Sequence, residues 1–595
     1  MEIHHTRKYS LEDVLAVSRG EAVTVAPQTL EMLDARRREV VEHVTNTNQP
    51  AYGFNRGFGH LVNVPVPNGR LADLQTNLIR SHASGVGDFA PPEVVRAAMF
   101  LRAVSLARGY SGVRGVVVKT LTSMLNASVT PCVPCFGSVG ASGDLAPLSH
   151  IALVMLGEGE AWHRDKPTVL SGRSAMKAGG VKPIRLEMKE GLALNNGAQF
   201  STALGVLSYF RVMTLLKTAA LATAMSAQVM LGADTPFDVD LHALRGHPGA
   251  LVVSHWIWRL MQGSPIREAH RSYEIDGEIQ DPYNIRCAAQ VLGACHDLIE
   301  EARATFEVEI DSVTDNPVIL PDSTSQYRRI VSGGHFHGMP VAVKIYSLIQ
   351  AVAIMASLSN ARCARYVDGK RNKGLNDDLK WPDPDEDAVS SGMMIPEYVS
   401  AALTNAIWGA AMPTHLMSIS TDAGQEDHVS MSAGLAIRLW GLVPRLAEAL
   451  AIELAFAAQG AAIRKALDYI PSKKALTEEQ ERSVGAEREA YARAVESILT
   501  QPGHKFLVEP EFRVKYPISF RDRALNPVGE KVLEEIRTVF APVRTDRCMS
   551  QDLRRLAGLV NSGRILAVAE NVVPLGVGVD PRLAETQKEV APARS

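Results

Sequence analysis

The segment Gly137-Ser-Val-Gly-Ala-Ser-Gly-Asp-Leu-Ala-Pro147 places small residues where a backbone could react with itself. It cannot cradle a phosphate in the usual way, because no Gly-Lys-Ser/Thr follows. It is not a hydrolase elbow either, since Ser142 lacks the flanking G-x-S-x-G pattern. What remains is internal chemistry at Ala141-Ser142-Gly143. A glycine amide nitrogen can attack the carbonyl two residues back only where the chain bends tightly, and glycine has no Cβ to obstruct that approach. Loss of water from the serine then leaves an exocyclic methylidene, an electrophile built from the chain.

That product is a 4-methylidene-imidazol-5-one. In the context GSVGASGDLAPL the tripeptide resembles the signature of the aromatic amino-acid ammonia-lyases and aminomutases, closest to the histidine enzymes. Further segments follow in the family's order. AYGFNRGFG (51–59) is similar to the mobile loop that carries the catalytic base, which the resemblance places at Tyr52. GLALNNGAQ (191–199) matches the segment whose amide holds the prosthetic group, here Asn196, and QDPYNIRC (280–287) supplies Tyr283 and Arg286. SVTDNP (312–317), SGGHFHGMPVA (332–342, with Phe336 beside the prosthetic group) and AGQEDHVSM (423–431, with Glu426) complete the set. The match covers residues 5–465 and more weakly 526–566. It implies no dissociable cofactor, and a homotetramer whose long helices share one bundle and whose sites combine residues from three subunits.

These residue types suit the chemistry. Eliminating ammonia from an α-amino acid requires removal of a weakly acidic β-proton and expulsion of a poor leaving group. An electrophile that captures the amine improves that leaving group. A tyrosine removes the proton only as phenolate, from a reference pKa of about 10. The fork of Arg286 suits a substrate carboxylate, and the amide of Asn196 suits an oxygen that gains charge.

Two positions bear on the substrate. His82, in RSHASG (80–85), can hydrogen-bond an imidazole or a phenol. Glu426 resembles the histidine enzymes and can pair with an imidazolium, whereas a plain phenyl ring has no use for it. Histidine is therefore favoured over tyrosine and phenylalanine. Arg56, His335 and the composition of 368–391 depart from the family pattern. His335 and His337 lack an acidic or His partner at ligand spacing, so no metal is expected. A 2,3-aminomutase would use the same residues, differing in how long the Tyr52 loop stays closed over the product. A non-catalytic helical scaffold would have no need of the intact tripeptide.

The elements that must position these groups are mainly helical. Long Ala/Leu/Met-rich stretches at 210–231, 340–367 and 436–459 are apolar on most sides, as helices inside a large bundle should be. The expected organisation is a loop-rich region bearing the tripeptide (1–200), a central helical bundle (201–469), an inserted arm (470–525) and a C-terminal helical region and tail (526–595). Residues 368–391 read as an exposed loop. With 595 residues, 46% hydrophobic content and a net charge of −3, the chain carries no electrostatic footprint for nucleic acid or an anionic membrane. Charges interrupt the apolar stretches near 211–233 and 433–461, and the N-terminus shows no signal-peptide core. Six cysteines make no disulfide framework, so a reducing cytoplasm fits best, with Cys132 and Cys135 as free thiols.

Overall fold

The structure is a computed structural model, and it describes residues 1–47, 50–59, 62–164, 168–269, 280–321, 329–383, 385, 388–466 and 523–576. Helices dominate, as the composition predicts, and strands are short pairs such as Val86–Phe89 with Pro134–Phe136 and Val318–Leu320 with Arg329–Val331. The chain forms two compact units, each assembled from separate stretches. The first comprises Met1–Met213, Asp297–Val352 and Gly409–Val443; the second comprises Thr214–His296, Ala353–Trp408 and Pro444–Ser595.

In the first unit, the Pro92–Ala107 helix is buried on nearly every face, including Arg96 and Arg102. Its sequence accordingly lacks a polar stripe. The turn carrying Tyr52 is fastened by a small apolar cluster in which Val40, Val44, Ala51, Phe54 and Ile319 are buried. Phe54 is fully enclosed, so the loop is anchored two residues beyond Tyr52.

In the second unit, the buried pair Arg362–Glu453 forms two bonds at 2.5 and 2.9 Å. Ser226 donates to the same carboxylate at 2.9 Å. Asn526 caps the Pro527–Arg537 helix through Gly529 N–H and donates to the Leu260 carbonyl at 2.7 Å, satisfying groups that a helix end leaves orphaned.

The described residues of 368–391 are mostly irregular but less exposed than expected. Asn372, Leu375 and Leu379 are buried, and Asn372 bonds the carbonyls of Tyr366 and Asn376 at 2.9 and 3.1 Å. Polarity here reflects backbone carbonyls that need side-chain donors as well as contact with water.

Three helices, Gln199–Val229, Met339–Tyr366 and Ser432–Ala466, are long and apolar enough to cross a membrane by length and composition, more than their interrupting charges suggested. Their apolar windows are 83%, 56% and 94% buried within the protein itself. All six cysteines are free; burial pushes the Cys132 thiol up to about 12.

The expected arm at 470–525 lies almost wholly outside the described residues, but its flanks are tied together. Arg523 donates to the Arg464 carbonyl at 3.0 Å, and Lys465 pairs with Glu530 at 2.7 Å. A Gly/Ser linker in place of residues 467–522 is therefore expected to leave a folded protein with a cooperative thermal transition. Loss of soluble protein would show that the segment is required for folding.

Candidate active site

The site is built on a break between two helices. The Glu190–Asn195 helix stops at Asn196, which is extended (φ −95°, ψ 107°), and Gly197 follows at φ +149° before the chain re-enters a helix at Gln199. Gly143, at φ +77°, lies directly against this break. The two glycines form a parallel bridge, and Asp144 N–H donates to Gly197 O at 2.8 Å. A Cβ on Gly143 would strike the Gly197 carbonyl, so only glycine permits this approach.

Neighbouring groups hold Ser142 and the residues flanking the tripeptide. Asn196 Nδ2 donates to the Ser142 carbonyl at 3.2 Å, and Ser142 Oγ donates to Glu426 Oε1 at 2.5 Å. Glu426 is itself fixed by Thr421 Oγ1 at 2.7 Å and by a bridge between the two backbones. Asp144 is the residue preceding the Leu145–Met155 helix but does not cap it. Its carboxylate instead accepts from Ser138 Oγ (2.8 Å), Ser201 N–H (2.8 Å) and Ser201 Oγ (2.7 Å). It thus serves the N-terminus of the Gln199–Val229 helix, whose first N–H groups have no partner of their own. Burial raises the Asp144 pKa, against the lowering effect of those serine bonds. Gly140 is enclosed by Ser430 and Ser432, and its carbonyl accepts from Ser430 Oγ at 2.9 Å and Gly338 N–H at 3.0 Å.

Tyr52 is half-buried at the edge of this arrangement, its ring edge-on to Phe58 with centroids 6.1 Å apart. Gln75 fixes the loop by donating to Gly53 O at 3.1 Å, while its own oxygen accepts from Gly191 N–H at 2.9 Å. Burial raises the Tyr52 pKa above the usual phenol value; the Gly59 N–H bond at 3.3 Å lowers it, and the charges of Asp422, Glu426 and Asp315 raise it. His82, the last residue of the Leu71–His82 helix, has its pKa lowered chiefly by burial, against a bond to Leu78 and the charges of Glu426 and Asp422. The imidazole is therefore neutral at neutral pH and can both donate and accept.

Tyr52, His82, Ala141-Ser142-Gly143, Asn196, Phe336 and Glu426 all belong to the first unit. Ser142 is bonded to both Asn196 and Glu426. Phe336 is half-buried on the turn leading to Gly338. His335 is exposed and His337 stacks on His428, with ring centroids 5.8 Å apart. Among the described residues no group of three His, Cys, Asp or Glu could hold a metal. Arg56 is half-buried and bridges to Pro65. Tyr283 and Arg286 lie in the second unit; Tyr283 is 71% exposed, and the Arg286 guanidinium sits 4.8 Å over its ring.

Sequence reasoning missed Asp422, whose charge acts on both Tyr52 and His82. The available signal was its position four residues before Glu426, but only the Thr421–Glu426 bridge brings that segment back on itself. It also missed Lys189, fully buried against Asp315 at 2.8 Å, beneath Gly53.

A half-buried serine between two buried small residues, bonded to a carboxylate and an amide in a mainly helical chain, suits the class of helical carbon–nitrogen lyases. The profile of the family described as aromatic amino acid lyase matches residues 9–492. A histidine ammonia-lyase from Deinococcus radiodurans is 42% identical over 455 residues, 76% of this chain and 84% of the relative. The solved histidine ammonia-lyase from Trypanosoma cruzi superposes with a TM-score of 0.75 at 29% identity, covering 97% of this chain and 98% of that one. A phenylalanine aminomutase from Pantoea agglomerans gives a TM-score of 0.79 at 28% identity, covering 95% and 100%. The chain belongs to the aromatic amino acid lyase family.

A base role for Tyr52 makes turnover alkaline: with its pKa raised by burial, the phenolate fraction, and with it kcat/KM, is still rising with pH above the usual phenol range. Asp422→Asn removes a negative charge that disfavours phenolate, so the rise should move to lower pH. A pH–rate profile of both proteins checks this; coincident profiles would remove Asp422 from the control of Tyr52.

Proposed function

We propose that the protein eliminates ammonia from L-histidine to give urocanate, using a 4-methylidene-imidazol-5-one that it forms itself from Ala141-Ser142-Gly143. The observation that carries this reading is the approach of Gly143 to Gly197, with Ser142 held between Asn196 and Glu426. The residues fit the group. Gly143 has no room for a Cβ, Asn196 Nδ2 already bonds the oxygen that would become the ring carbonyl, and Ser142 Oγ, the oxygen to be lost, is hydrogen-bonded. The group, once formed, supplies an electrophile for the substrate amine.

The chain's own residues supply the rest. Tyr52 takes the β-proton as phenolate, and Asn196 stabilises charge on the Ser142 carbonyl oxygen. His82 and Glu426 hold the substrate imidazole, which needs polar partners in an enclosed site. Arg286 and Tyr283 hold the carboxylate. The exposure of Tyr283 in the single chain supports their serving a neighbouring subunit's site in a homotetramer. A run of exposed apolar side chains from Ile395 to Ile419, including Tyr398, Trp408 and Leu416, supports burial by other copies. The free cysteines support a reducing cytoplasm. A 2,3-aminomutase is the second reading, favoured by the superposition on a solved aminomutase; it would yield a β-amino acid where the lyase yields only the unsaturated acid.

Ser142→Ala should leave a folded protein with activity reduced by several orders of magnitude, because the covalent route is lost. Turnover near wild type in that variant would sink the proposal.

The substrate assignment is tested separately. A buried donor or acceptor left unpaired costs about 1–3 kcal/mol, so a pocket built around His82 and Glu426 should reject phenylalanine. Changing His82→Leu together with Glu426→Gln should weaken histidine turnover relative to phenylalanine and tyrosine. Specificity constants for the three amino acids on both proteins decide it: a wild-type preference for tyrosine would make His82 the partner of a phenol.

A further inference from the structure

Behind the break that receives Gly143 lies a cation that the mechanism above does not use. Arg102, within the Pro92–Ala107 helix, is 1% exposed. Its Nη1 donates to the Asn196 carbonyl at 2.8 Å and to Gln199 Oε1 at 2.9 Å. Gln199 turns its amide nitrogen to Thr314 Oγ1 at 2.6 Å. A Cβ on Gly197 would strike Gln199, Arg102 and Thr314. Gly197 is thus held from behind by these side chains and met in front by the backbone of Gly143.

Packing alone does not explain an arginine here. Its Nε and Nη2 are buried without a partner among the described residues. The carboxylate that acts on it, Asp315, is paired with Lys189. Burial lowers the Arg102 pKa to about 10, so it remains cationic at neutral pH at a desolvation cost. Apolar residues of similar volume commonly replace buried ions without loss of stability, and sites that break such local rules tend to be functional.

We propose that Arg102 is a positioning residue for ring formation: through the Asn196 carbonyl and Gln199 it fixes the Asn196–Gly197 segment that presses Gly143 toward Ala141. The inference rests on the self-formed electrophile proposed above. In that step the Gly143 nitrogen bonds to the Ala141 carbonyl carbon. The carbonyl oxygen leaves as water with the amide hydrogens of Gly143 and Ser142. Ser142 loses its Cα hydrogen and its hydroxyl as a second water, so no oxidant or reductant is needed. Arg102 exchanges no proton; it keeps the reacting backbone in register, where a displacement near 1 Å can cost on the order of 10²-fold in rate.

The test is the intact mass and near-ultraviolet absorbance of freshly purified wild type, Arg102→Met and Arg102→Lys, with thermal unfolding of each. Wild type should be lighter than its sequence by two waters. Arg102→Met should unfold cooperatively yet remain mostly at full mass, losing the waters on the order of 10²-fold more slowly on incubation. Arg102→Lys, which keeps a cationic donor, should recover part of the mass loss and the absorbance. A folded Arg102→Met that matures at the wild-type rate would overturn the inference, as would failure of both variants to fold, which would make Arg102 a structural residue. Wild type at full mass would instead overturn the self-formed electrophile, and this inference with it.

Discussion

Gly143 and Gly197 meet backbone to backbone, in a space that admits no side chain on Gly143, and the surrounding polar structure is arranged about that contact. Such an approach is held by neighbours that pair the backbone groups it buries, because an unpaired buried amide or carbonyl is costly. Asp144 N–H is bound by the Gly197 carbonyl, the Ser142 carbonyl by Asn196, the Asn196 carbonyl by Arg102, and the Gly140 carbonyl by Ser430 and Gly338. The loop, the helix break and the segment around residue 430 are thereby locked to one another within the first unit.

This arrangement explains the use of helix ends. The Asp144 carboxylate binds the first turn of the Gln199–Val229 helix and leaves its own helix without a side-chain cap. A local interaction worth about 1 kcal/mol is exchanged for one that connects residues 57 apart in sequence. The glycine of the Asn-Asn-Gly run acts as a spacer that lets one helix end and another begin while its carbonyl accepts from Asp144 N–H.

The electrostatics follow a similar division. Tyr52 is surrounded by acids that favour its protonated form, while His82 is kept neutral chiefly by burial. Asp422 and Glu426 thus weigh against the phenolate that a Tyr52 base would need.

Much of this was legible in the chain itself. Mainly helical architecture followed from long stretches of strong helix formers. The tripeptide stood out because a serine between small residues suits one chemistry, Asn196 and Glu426 through the family resemblance, and in the structure Ser142 bonds both. The family followed from the density and order of the motifs. Tertiary structure alone could decide which buried groups support them. Arg102 and Asp422 are ordinary charged residues in their local sequence; their significance depends on contacts with segments remote in the chain or on a backbone that folds back on itself. The irregular stretch at 368–391 read as exposed because polarity is the same whether a side chain meets water or a buried carbonyl. Sequence specifies which groups can react and which can bond; which of them meet is set by the packing of distant segments, where burial makes each unpaired group costly and so selects the partner.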